Sequence, residues 1–324
     1  PDPNVRNALF GIFATAGESS LGLIPSQVSQ MAQAVLSAMN TALDQKGDIE
    51  HEDPAVLSAC ELWSNINQLY LPALVPLAGE IVPTLLKAMV YTAEEVTTLS
   101  QPESNQDEGE AWTLRKCAAA GLDALSTNMQ ASIFKVVVPL IQERLAVRSP
   151  LTEDNWKETE VGLLALGAIA EGCKVLFTDP QLDAWLEKVI RFMGETTYPL
   201  IRTIASWVLG RYASRLVNSC HFQTALQHLI ASLNSSCERE VLSSGTAISL
   251  IMEEVGQEDA SPTSKSLFLS SLDSLLNVVK VRLSSPSTGC CLSPSSGAIL
   301  CDIIATCAEQ FKETASNQLI PLID

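Results

Sequence analysis

The feature that most constrains this chain is an internal repeat. Four segments open on related strings, PDPNVRNAL, EAWTLRKCAAAGL, TTYPLIRTIASWVL and, less closely, SSCEREVLSSGTAI. Arg115, Arg202 and Arg239 mark one place in the last three, and Thr159 takes that place in NWKETEVGLLALG. The markers recur about every 40 residues, so one short structural unit is reused along the chain. Each recurrence opens a pair of segments with the 3.6-residue apolar period of helices. The pairs are 4–16 with 24–45, 54–68 with 77–97, 111–129 with 131–148, 155–173 with 181–194, 198–217 with 220–234, and 238–255 with 264–283, followed by 296–313.

A helix pair of this length cannot cover its own apolar face, so neighbours must stack. The predicted fold is all-α, a solenoid of antiparallel helix pairs whose period falls in the HEAT and armadillo range. It runs as one continuous array over 1–324, about six to seven repeats, cut from a longer chain. No stretch alternates in the manner of a strand, and aromatic residues make up only 5%. Polar stretches interrupt the array at 100–110 (SQPESNQDEGE), 256–266 (GQEDASPTSKS) and 284–297 (SSPSTGCCLSPSSG).

Helical wheels at about 100° per residue separate a core stripe from a free side. In 111–129 the stripe is Leu114, Ala118, Gly121, Leu122 and Leu125, leaving Ala120 and Asp123 outside. In 155–173 it is Val161, Gly162, Ala165, Leu166 and Ile169, with Leu164 outside. In 198–217 it is Ile201, Ala205, Val208, Leu209 and Tyr212, with Thr203, Trp207, Arg211 and Ser214 outside. Ala120, Leu164 and Trp207 therefore hold equivalent places, which predicts a non-polar ridge with Asp123 at one end and Ile204 on its flank. The alternative is that Trp207 packs onto the neighbouring repeat.

The formal net charge of −17 disfavours nucleic acid and anionic membrane and favours a basic partner. An apolar ridge beside carboxylates suits an extended peptide that is both basic and hydrophobic. Nine scattered cysteines with no C-x-x-C pair point to a reducing, cytosolic or nuclear compartment rather than to disulfides or zinc. The apolar runs read as too short or too broken to span a membrane. His51, His221 and His228 sit in no metalloprotease or nucleophile arrangement, and neither a phosphate-binding glycine loop nor G-x-S-x-G is present. A binding protein with no catalytic, metal or cofactor site is expected.

AWTLRKCAAAGLDAL, GLLALGAIAEGC and IRTIASWVLGRYA, in this order and spacing, resemble the central repeats of the transportin (karyopherin-β2) branch of the importin-β family. VNSCHFQTALQHLIASLNSSCEREV and ACELWSNI extend the likeness, which is good over about 110–255, fair over 1–97 and weak beyond 260. The resemblance implies a monomeric receptor that shuttles between cytoplasm and nucleus. Such a receptor binds basic proline-tyrosine nuclear localisation signals of cargo proteins on its concave face. It also engages nucleoporins and releases cargo to the GTPase Ran in its GTP form. It implies that Ala120, Asp123, Leu164, Ile204, Trp207 and Glu253 contact the signal, Glu253 on the resemblance alone. It also places Glu103, Asp107, Glu108 and Glu110 in a loop that in the family is longer and more acidic and couples Ran binding to release. Repeats that carry most Ran contact, and those that bind the basic upstream part of the signal, fall outside this stretch, so weak cargo binding is expected. The competing readings are a HEAT scaffold for a folded partner, of the phosphatase-scaffold or assembly-factor kind, and another importin-β branch with different cargo.

Overall fold

Helices begin and end where local chemistry can satisfy their terminal groups. The structure is a computed structural model that describes residues 11, 15, 25–44, 54–65, 70–99, 112–146, 151–153, 155–284 and 293–311. The segment 4–16, the acidic stretch 100–111 and the loop residues 285–292 lie outside the described residues or almost wholly so. No strand occurs among the described residues. They fall into two units, one of Pro1–Val147 with Glu153–Phe177 and one of Arg148–Thr152 with Thr178–Asp324.

The first unit holds α1 (Pro25–Asp44), α2 (Pro54–Asn65), α3 (Leu71–Leu74), α4 (Ala78–Ala88), α5 (Ala93–Leu99), α6 (Leu114–Met129), α7 (Ala131–Arg144), α8 (Trp156–Ala168) and α9 (Ala170–Cys173). Its repeats stack in two layers, with α2, α6 and α8 packing in succession through one and α1, α4 and α7 through the other. Thr113 caps α6 by accepting from the Lys116 amide. Between α6 and α7 the chain reverses at Gln130, whose φ of 30° is a backbone state that favours glycine. Gly172 of α9 lies so close to α6 that an added Cβ would fall 2.3 Å from the backbone of Ser126 and Thr127.

Two expectations need correction here. The second helix of the 54–97 pair is not one segment over 77–97. It is α3, a 3₁₀ turn at Val75–Leu77, α4 and the separate α5, which the pair Thr92 and Glu95 caps reciprocally, amide to side chain, at 2.8 and 3.1 Å. The run Leu71–Ala88 is also long and apolar enough to cross a membrane by length and composition. Prolines at 72, 76 and 83 interrupt it, and Leu74, Ile81, Val82, Leu85 and Leu86 are fully buried against α1, α6 and α7, so it is a core segment of this unit.

The second unit holds α10 (Asp179–Glu195), α11 (Pro199–Arg211), α12 (Ala213–Leu216), α13 (Phe222–Ser232), α14 (Glu238–Gly256), α15 (Pro262–Ser284) and α16 (Pro294–Gln310). The helices α11, α14 and α16 form one layer, and α10, α13 and α15 the other. Ser293 caps α16 by accepting from the Ser296 amide, and Pro294 follows at a position where its missing N–H costs nothing. The stripe Ile201, Ala205, Val208, Leu209 and Tyr212 is buried as the wheel predicts, and so are the stripes assigned in α6 and α8. Among the described cysteines, Cys60, Cys117, Cys173 and Cys307 are buried free thiols, and Cys220 and Cys301 are exposed.

Candidate functional site

In the first unit, α6 leaves Lys116, Ala119, Ala120, Asp123 and Ala124 half-buried and Thr127 exposed. These positions recur at three and four residues and make one stripe along the helix. Ala120 and Asp123 are thus placed together on the non-core side of α6, one turn apart. Neighbouring α2 packs on α6 with Leu57 and Glu61 half-buried. The sequence reading passed over Glu61, although it occupies the same kind of stripe.

Leu164 differs from expectation. Every residue of α8 from Thr159 to Ala168 is buried, and Leu164 is 8% exposed. The wheel assumed a polar face here, but from Val161 onward the helix is apolar on all sides, and it contacts α6, α7 and α9.

In the second unit, α11 leaves Thr203, Trp207, Arg211 and Ser214 just beyond it half-buried, the four residues set outside its core stripe. Ile204 is 9% exposed, so it borders the stripe from the buried side. The Arg211 guanidinium lies 5.9 Å from the Trp207 ring centroid. On α14 the non-core stripe is Arg239, Leu242, Ser243, Thr246, Ser249, Leu250 and exposed Glu253. The Ser243 hydroxyl donates to the Thr203 carbonyl at 2.7 Å, which sets the two stripes side by side. Trp207 and Glu253 therefore lie on adjoining helix faces. Glu103, Asp107, Glu108 and Glu110 lie outside the described residues.

The repeated arginines have a role that reading helices one at a time missed. Arg202 forms a bidentate pair with Glu240 of the next repeat, Nε and Nη2 at 2.8 and 2.9 Å, while its Nη1 donates to the Thr196 carbonyl. Bonding to this carboxylate holds the Arg202 guanidinium above its ordinary range. Ser206 and Ser244 share a hydrogen bond at 2.9 Å one turn further on. In the first unit Arg115 pairs with Glu160 of the next repeat, donates to the Met89 carbonyl, and lies 3.9 Å over the Tyr91 ring. Glu160 and Glu240 each follow the marker position, after Thr159 and Arg239. The marker arginine of one repeat thus binds the carboxylate one place past the marker of the next. Arg115 is buried, so it is not a surface cation for a ligand.

Among the described residues no group of three or more His, Cys, Asp or Glu could hold a metal ion. What the two units offer is helix faces carrying an aromatic ring, small residues and separated carboxylates.

No protein-family model matches the chain. Transportin-1 of Oryza sativa subsp. japonica is 31% identical over 247 residues, which is 64% of this chain and 27% of that protein. Importin subunit beta-2 of Schizosaccharomyces pombe is 27% identical over 223 residues, 51% of this chain and 23% of the relative. The chain is thus similar in sequence to a transportin and to an importin subunit beta-2. It spans about a quarter of the length of these relatives. Among solved structures, the karyopherin Kap121p bound to RanGTP matches 99% of this chain and 30% of its own with a TM-score of 0.72 at 20% identity. That likeness shows the fold, an all-α HEAT-repeat array.

Proposed function

We propose that this chain is a segment of a nuclear import receptor, a binding protein without catalysis, whose non-core helix faces receive the localisation signal of cargo. The observation that carries the reading is Trp207. It is the one large aromatic left half-buried on α11, where Ile201, Val208, Leu209 and Tyr212 are buried, and exposed Glu253 lies on the adjoining face. Similarity to proteins named transportin and importin supports this reading, and Kap121p has been solved with RanGTP, with Pho4p and with Nup53p. The signal class that fits is basic with a terminal proline-tyrosine. Its aromatic end would pack beside Trp207 and Ile204. A cationic group would meet Glu253, and in the first unit the face of Ala120 and Asp123 is a separate candidate for a peptide of the same kind. Release would follow from binding of GTP-loaded Ran, with the receptor passing between cytoplasm and nucleus by way of nucleoporins.

The test is fluorescence anisotropy of a labelled basic peptide ending in Pro-Tyr, titrated with the chain. We expect micromolar binding, with Trp207→Ala raising Kd at least about tenfold, the effect of losing about 1.4 kcal/mol from a buried aromatic anchor. Replacing Pro-Tyr by Ala-Ala should do the same. Failure of well-folded protein to bind this peptide removes the cargo assignment and leaves a scaffold that receives a folded partner.

A further inference from the structure

Trp207 and Glu253 reach the candidate site by different routes, one from its place outside a core stripe and one from family likeness. The structure shows what lies between them. Gly210, one turn beyond Trp207 on α11, has no side chain to fill its face toward α14. A Cβ there would stand 3.1 Å from the Ala247 Cα and 3.2 Å from Leu250 Cδ1. The bare backbone lets α14 approach closely and seats the Leu250 methyl against α11. Residues three apart on a helix are neighbours, with Cβ atoms about 5–6 Å apart. Trp207 therefore adjoins Gly210, Gly210 adjoins Leu250, and Leu250 adjoins Glu253, each step a single turn or a direct contact. Leu250 is half-buried, so part of its side chain is open on this face.

We propose that Leu250 is a further specificity-determining contact of the peptide site, forming the apolar floor that links Trp207 to Glu253. This rests on the proposed function. A peptide that places its aromatic end at Trp207 and a cation at Glu253 must cross Leu250, and it does so with an apolar side chain there. A charged or amide side chain would lose its water over the leucine methyls with no polar partner in return. Nothing in the sequence flags Leu250, because on a wheel of α14 alone it is one more residue at the margin of the core.

The anisotropy titration with the basic Pro-Tyr peptide tests this on the 324-residue chain. Leu250→Ala should raise Kd about tenfold, Leu250→Met should stay within about twofold of the parent, and Leu250→Gln, of similar volume, should bind as poorly as alanine. The glutamine variant separates contact from packing: a thermal melt equal to the parent's with weakened binding supports the contact. If Leu250→Gln or Leu250→Ala binds at parental strength while Trp207→Ala is impaired, the proposal for Leu250 is overturned and the peptide site stands. If the parent chain itself does not bind, both fall.

Discussion

Replacing Glu160 by glutamine should open the first unit at its most buried charge. The Arg115 side chain is 10% exposed and that of Glu160 1%, so the pair sits in protein rather than water. Only one Glu160 oxygen is engaged, because Oε2 has no hydrogen-bond partner. Glutamine keeps an acceptor for the Arg115 Nη2 proton but removes the charge that offsets a buried guanidinium. At contact distance and an effective dielectric near 20, that attraction is about 4 kcal/mol, and breaking buried pairs costs about 3–5 kcal/mol. Retention of a neutral acceptor puts Glu160→Gln near the lower end, about 3 kcal/mol. Because a repeat array of two units need not unfold in one step, the assay is hydrogen exchange of the α6 and α8 amides, which reports local opening energies. The double variant Arg115→Met with Glu160→Leu should recover to within about 1 kcal/mol of the parent, since an apolar pair of similar volume carries no desolvation penalty. A cost below about 1 kcal/mol for Glu160→Gln is what an exposed pair gives, and it would refute the claim that this contact is desolvated.

Other expectations follow from single contacts. Gly172→Ala should destabilise the first unit by more than about 3 kcal/mol in urea titration, because its Cβ would strike α6 backbone that cannot rotate away; a change below about 1 kcal/mol would show that α9 can lift off. Gln130→Gly should stabilise by about 1 kcal/mol, read as a higher Tm, by relieving the positive φ at the α6–α7 reversal; a lower Tm would contradict it. Glu238 sets a pH dependence. Burial works against its carboxylate, but hydrogen bonds from Ser293 and Ser296 and the nearby Arg282 charge outweigh this and hold it below the usual glutamate range. Its folded pKa is thus the lower one. Its contribution is present above the ordinary glutamate pKa and is lost as pH falls through the folded value. Amide protection in α16 should decline over that acid range and should do so less in Glu238→Gln; equal pH profiles would sink the assignment.

The three core stripes were legible because the apolar period along one helix depends only on that helix. The face of α6 with Ala120 and Asp123 and the face of α11 with Trp207 were legible for the same reason. Leu164 was not. A wheel assigns an angle, and in a helix such as VGLLALGAIA, with no polar residue among ten, angle carries no information about which side meets solvent. The arginine markers show the converse limit. Their recurrence was visible at once, yet their purpose depends on Glu160 and Glu240, which lie one repeat away and become meaningful only when successive repeats are compared position by position.

That comparison also bears on how such an array can carry a binding face at all. The contact between α11 and α14 is not closed by apolar packing alone. Arg202 with Glu240 and Thr203 with Ser243 bond across it in one turn and Ser206 with Ser244 in the next, while Gly210 lets Ala247 approach one turn further on. Apolar contacts tolerate sliding, whereas directional bonds fix one register, so the polar seam decides which residue of α14 stands beside Trp207. A shift of one residue would rotate Leu250 and Glu253 by about 100° away from that face. The arginine that first revealed the repeat therefore does more than mark it. By holding neighbouring helices in register, it turns side chains distant in sequence into a single surface.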